Sequence, residues 1–229
     1  MSAGLLNDRG MPRVRSVASG QSPATRRPEH DLLRRRDLEV LSWLGEQYAA
    51  QVDQLEVLMD CGPRTVERTL ARLRGRGLVQ TRRLIVGEPA WVLPTTAGLR
   101  ACGSSFGAWT PRVGLLSHVA AVNDVRLHVQ GRSPESEWTP ERVLARDRKA
   151  GEHLPDGVVR TDEQRVAIEV ELTVKSQRRV TAILDELSNR FDAVVYFCAP
   201  GPHRQLTELS ESGRWPTLQI RDLPNAGLD

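Results

Sequence analysis

Apolar residues recur at helical spacing along the first part of the chain and at every second position along the last. Leu38, Leu41 and Leu44 repeat behind Asp37, whose carboxylate suits an N-cap. Val52, Leu55 and Leu58 repeat in the same way. In CGPRTVERTLARLRGRGLV, Pro63 suits a first helical position and Val66, Leu70 and Leu73 form an inward stripe. Gly75 and Gly77 end that helix. Two short strands, VQTRRLIV and AWVLP, follow, joined at Gly87, Glu88 and Pro89. Three helices followed by a two-stranded wing is the order of a winged helix-turn-helix.

Residues 112–131 predict one long helix, apolar on more than one side and therefore buried. From 137 onward the period changes to two. WTPERVLAR, LPDGVVR, RVAIEVELTV and AVVYFCA predict strands, and SQRRVTAILDELSNRF predicts an amphipathic helix between the last two. A helix over about 203–211 and a strand over 217–221 close the pattern. The order α-β-β-β-α-β-α-β implies an α/β (α+β) domain in which helices cover a mixed sheet. The expected organisation is a flexible basic tail over 1–30, a winged helix over 31–104 and the mixed-sheet domain over 110–223. The tail is rich in Ser, Pro, Gly and Arg without periodicity, and Met11 within it offers an alternative start.

Composition narrows the classes. With 229 residues, 39% apolar and 27% charged, the chain can build a real core. No run approaches the ~18 apolar residues of a membrane span, and no apolar stretch follows the N-terminal charges, which speaks against a secretory signal. Three widely spaced cysteines, Cys61, Cys102 and Cys198, fit neither a disulfide framework nor a Cys-based zinc site. A cytoplasmic protein with free thiols is expected. The net charge of +3 hides an asymmetry: residues 1–100 carry 16 basic against 11 acidic side chains, and residues 101–229 carry 16 against 18. Only Lys149 and Lys175 are lysines; every other basic residue is arginine.

Arg64, Arg68, Arg72 and Arg76 fall at i, i+4, i+8 and i+12, on the face of the third helix opposite Val66, Leu70 and Leu73. Like charges at that spacing cost about 0.2–0.5 kcal/mol per pair in an isolated helix. A polyanion groove turns the cost into a gain through counterion release. Arg82 and Arg83 start the wing, where a second phosphate contact is expected. Double-stranded DNA is the expected partner, with Arg64, Thr65 and Arg68 placed to read bases. The alternative is a solvated helix face in an arginine-rich chain.

In HLPDGVVRTDEQRVAIEVELTVKS, Ile168, Val170, Leu172 and Val174 alternate with Glu169, Glu171 and Thr173. If Thr161–Gln164 is a four-residue turn, Arg160 faces Arg165 and Asp156 falls opposite Glu169. Opposed carboxylates roughly 5 Å apart repel, and Glu171 lies on the same face. A hard divalent cation, Mg²⁺ or Mn²⁺, held by Asp156, Glu169 and Glu171 would relieve that repulsion. Two plainer readings stand beside it: acids splayed into water on an exposed strand face, or a turn at Asp156-Gly157 that breaks the register. His118, Asn123 and Asp124 on the long helix, and Glu141 on the first strand, are further candidates; hydrogen-bonded core roles are the plainer reading for His118 and Asn123. No H-x-H or H-E-x-x-H, G-x-S-x-G or P-loop occurs, so a His-metal relaxase, a serine hydrolase and a nucleotide cofactor are not expected.

A helix, a strand, PD and then E-x-(E/K) on the next strand resembles the PD-(D/E)XK nuclease fold. WTPER, LLSHVAAVNDVRL, HLPDG and VAIEVELTVKS together resemble the actinobacterial replication-relaxation proteins of plasmids and mobile elements, over about residues 35–200. By this resemblance Pro155-Asp156 matches the PD, Glu169 the (D/E), and position 171 should be a lysine. Glu171 stands there instead. Lys175, four residues on, could reach back as a migrated catalytic lysine. The resemblance thus implies a DNA-binding, metal-dependent endonuclease or nickase with Asp156, Glu169, Glu171 and Lys175 in the catalytic set. The alternative is a transcriptional regulator whose silent second domain serves homodimerisation or DNA and protein contact.

Overall fold

Helix α1 (Arg35–Glu46) begins two residues before the predicted cap. Arg34 occupies the N-cap, and its N–H donates at 3.1 Å to Asp37, now at the third helical position. Asp37 is fully buried, and Arg72 of the third helix reaches it, its Nε donating at 3.1 Å. The structure, a computed structural model, describes residues 33–224, so the predicted tail lies outside the described residues.

Next come β1 (Ala50–Gln51), α2 (Val52–Leu58) and α3 (Pro63–Gly75), with Pro63 opening α3 as expected. Gly77 turns the chain out of α3 in a left-handed conformation (φ +68). Strands β2 (Val79–Arg82) and β3 (Trp91–Pro94) form the predicted hairpin. β1 was not predicted. It pairs with β3 and gives the sheet order β1-β3-β2, which leaves every residue of β3 buried at the centre. A two-residue strand carries no alternation for a sequence pattern to reveal. α4 (Thr96–Ala101) follows, capped by the Thr95 hydroxyl.

α5 (Val113–Arg132) is the predicted long helix. It packs on both halves of the chain. Leu116 and Val119 join a cluster with Ala49, Trp91 and Leu93, while Val122 and Val125 join one with Trp138, Ile168, Val170 and Phe197. That double burial explains why α5 is apolar on more than one side. The second sheet has the order β4-β5-β6-β7-β8. Its strands are β4 (Glu137–Pro140), β5 (Gly157–Arg160), β6 (Arg165–Glu171), β7 (Ala193–Cys198) and β8 (Leu218–Asp222). β4, β5 and β6 pair antiparallel; β6, β7 and β8 pair parallel, joined by α7 (Gln177–Ser188) and α8 (Pro200–Ser210). α5 covers one face of this mixed sheet, and α7 and α8 cover the other.

The predicted strand WTPERVLAR is only half strand. After Pro140 the chain turns into α6 (Glu141–Leu144), so Glu141 opens a short helix. Arg160 does face Arg165, with Gly157 opposite Ile168, as the four-residue turn requires. Asp156 sits one position beyond that ladder. At Gly157 any Cβ would collide with the Trp138 indole, so glycine lets β4 and β5 approach.

Candidate functional site

Glu169 and Glu171 do not face water. They are 4% and 6% exposed, because β6 has a strand on each side and α7 above the face they share with Ala167. The exposed-face reading is therefore corrected: the alternation on β6 separates two buried faces. The turn at Asp156-Gly157 is corrected as well, since Gly157 already lies in β5.

A buried carboxylate needs a partner, and each of these has one. Asp156 accepts from the Val170 N–H at 2.7 Å and lies 2.9 Å from His118 Nε2. Glu169 lies 2.9 Å from His153 Nε2. Glu171 is ion-paired with Lys175. Burial pushes the Glu169 carboxyl up, to about 7, and the Asp156 charge adds to this against the His153 hydrogen bond. For both histidines burial pulls the pKa down, but the bonded carboxylates, Asp156 for His118 and Glu169 for His153, outweigh it and leave both raised. Burial and the nearby Asp156 charge raise Glu141 too. Glu141, Glu169 and both imidazoles thus all favour their protonated forms more than they would in water.

These groups line a cleft of about 860 Å³, where His118, Glu141, His153, Asp156, Glu169 and Lys175 form the polar wall. Glu171 is outside that lining, tucked behind Lys175. Among the described residues, no group of three or more His, Cys, Asp or Glu side chains is placed to hold a metal ion. Both oxygens of Asp156 and one of Glu169 are engaged by His118, the Val170 N–H and His153, and Glu171 is paired with Lys175. In this arrangement the three carboxylates do not fit a metal cage. What the cleft offers is proton transfer through two imidazole–carboxylate pairs and a fixed ammonium at Lys175.

His153 carries half of this arrangement and was not singled out in the sequence. Its signal was proximity: it lies three residues before Asp156 on the same approach to β5. Asn123 and Asp124 do not enter the cleft lining. Asn123 donates to Ala49 O at 2.9 Å and to Gln54 Oε1 at 3.0 Å, and Asp124 accepts from Gln54 Nε2 at 2.7 Å.

The arginine face of α3 is only partly free. Arg64 and Arg68 are exposed, and Arg68 leans on the Thr65 hydroxyl at 3.3 Å. Arg72 turns inward to Asp37 and is half-buried, so it braces α3 against α1. Glu67 pairs with Arg74, outside the stripe, at 2.5 Å. Arg76 is half-buried at the end of α3. Arg82 and Arg83 are exposed at the end of β2.

A family model described as replication-relaxation matches residues 41–188, more than half of the chain. The chain belongs to the replication-relaxation family. The matched region runs from within α1 to the end of α7 and includes both α3 and the cleft residues His118 to Lys175. The family places the chain in the replication or relaxation of plasmids or mobile elements. No curated protein and no solved structure matches it. No helix among the described residues is long and apolar enough to cross a membrane.

Proposed function

We propose that this replication-relaxation protein binds duplex DNA through a winged-helix half and presents it to a nuclease-like half that nicks it. The observation that carries the binding step is the exposed cationic face built from Arg64 and Arg68 on α3 with Arg82 and Arg83 on the adjoining hairpin. α3 takes the recognition position, with Thr65 and the two arginines at its N-terminal end, and the hairpin arginines meet phosphate. Arg68→Ala should weaken duplex binding about tenfold or less and lower the salt slope by about 1. An unchanged affinity and slope would remove this docking face.

For the nicking step, support comes from the hairpin register that brings Pro155-Asp156 beside Glu169 at the edge of the cleft. Lys175 stands on the wall in place of the lysine missing at position 171, as an ammonium able to meet charge developing on a phosphate. Mg²⁺ or Mn²⁺ belongs to this proposal only if His118 and His153 give up the carboxylates, so no step is assigned to the ion. Supercoiled plasmid incubated with the protein and either ion should yield open circles with wild type and none with Asp156→Ala. Plasmid left supercoiled by both removes the nuclease reading. That outcome, with duplex binding intact, leaves a regulator whose second half is silent. This second reading is favoured by the pairing of Asp156, Glu169 and Glu171 with His118, His153 and Lys175.

A further inference from the structure

Beside the carboxylates, the lining of the cleft is also aromatic and cationic. Tyr48, from the segment after α1, and Trp109, from the segment before α5, both line it, with ring centroids 5.5 Å apart and planes inclined by 50°. Tyr48 adopts a left-handed backbone (φ +71). A bulky side chain pays for that conformation in strain, and such residues cluster where a ligand or a site demands them. Arg142, itself part of the lining, braces the Tyr48 ring. Its guanidinium lies 4.7 Å from the Tyr48 ring and 4.5 Å from the Phe106 ring, and it donates to the carbonyls of Gly45, at 2.6 Å, and Gly107. Arg112, exposed at the N-cap of α5, and Arg148 complete the lining with positive charge.

We propose that this cleft binds an unpaired stretch of DNA, with a base stacked on the Tyr48–Trp109 wall and its phosphates against Arg112 and Arg148. The proposal rests on the DNA-binding reading above and names the form of DNA that the cleft takes. Three features of the cleft argue for it. A volume of about 860 Å³ is within the range that holds a small ligand. Bases within a duplex are stacked on one another and must leave the stack to meet a side-chain ring, whereas single-stranded DNA is held by aromatic faces along a cationic groove. Arg112, Arg142, Arg148 and Lys175 give the same cleft its fixed positive charge beside the acids Glu141, Asp156 and Glu169. The protein would hold a duplex on α3 and an opened strand in the cleft.

The test compares a fluorescent oligo-dT of about 10 nucleotides with a duplex of equal length, using the full chain and anisotropy at several salt concentrations. Trp109→Ala should lose about tenfold or more of its oligo-dT affinity and keep its duplex affinity, while Trp109→Phe should retain most of both. Because Trp109 packs partly against the cluster at Trp91 and Leu116, Arg112→Ala provides a variant that leaves the core untouched. It should weaken oligo-dT binding and lower its salt slope by about 0.7. Wild-type oligo-dT affinity in Arg112→Ala, with Trp109→Ala either unaffected or unfolded, overturns the proposal. So does an equal loss of oligo-dT binding in Arg68→Ala, which would move the single strand to α3. Loss of duplex binding alone in Arg68→Ala supports two separate sites. Oligo-dT binding that depends on Trp109 in a protein with no duplex affinity overturns the α3 reading and leaves this one standing.

Discussion

Glu169 is a carboxyl with almost no water, opposed by Asp156 and answered by one imidazole at 2.9 Å and the charge of Lys175. Its pKa is raised on folding, to about 7, so between its ordinary value and that point the folded protein holds a proton that the unfolded chain releases. His118 and His153 are raised as well. A raised group of either kind stabilises fully below its unfolded pKa, and that stability is lost as pH rises through its folded value. All three therefore act in the same direction. The melting temperature should fall as pH is taken from about 5 to 8, with the Glu169–His153 pair contributing to the change as a unit. Glu169→Gln, which removes the titrating proton and keeps a hydrogen-bonding partner for His153, should flatten the curve. A slope identical to wild type in that variant would mean that the Glu169 carboxyl is not held protonated. The pairing of Asp156 with Glu169 was legible from the four residues between Arg160 and Arg165. The burial of Glu169 was not, because it comes from β7 and α7, which follow it in the chain and cover it only after folding.

At the scale of the element, patterns repeated over a full helix or strand survived, while single positions survived unevenly. The period of Val66, Leu70 and Leu73 placed α3 within a residue of its observed ends, and Pro63 and Gly77 act as the sequence suggests. The alternation along β6 and the turn before it gave the β5–β6 register. Periodicity cannot tell one buried face of a strand from two, however, and the same alternation fits a wet face or a central strand of a mixed sheet. Asp37 shows the same limit at a helix start. As a side chain it suits an N-cap, yet it is used three positions later, because there it is buried against Arg72. That pairing withdraws one arginine from a stripe that the sequence shows as uniform. The docking force proposed for α3 falls to Arg64 and Arg68, with the hairpin arginines beside them. α6 and β1 were missed for a plainer reason: elements of four and two residues span about one period and so show no repeat.

At the scale of the whole molecule, α5 makes the two halves interdependent. Besides its two apolar faces it carries a polar seam. Gln54 of α2 is 2% exposed and donates to Asp124 and, at 2.9 Å, to the Ala120 carbonyl, while accepting from Asn123. One turn on, Arg126 donates to Glu46 of α1 at 2.8 Å. The cleft itself takes Tyr48 from one half and Asp156 from the other, so its shape depends on that seam. Gln54→Ala strips partners from Asn123 and Asp124 at once, and leaving buried polar groups unpaired costs about 1–3 kcal/mol. In a chain of this length each kcal/mol lowers the melting temperature by roughly 2–4 °C. If α5 couples the halves as its packing implies, wild type and Gln54→Ala should each unfold in one transition, the variant's shifted down as a whole. Tryptophans report on both sides, Trp43 and Trp91 before α5 and Trp138 and Trp215 after it. Fluorescence and far-UV circular dichroism should therefore trace the same curve. Two separated transitions, with only the earlier one moved by Gln54→Ala, would show that the halves fold independently and that the cleft joins bodies able to part.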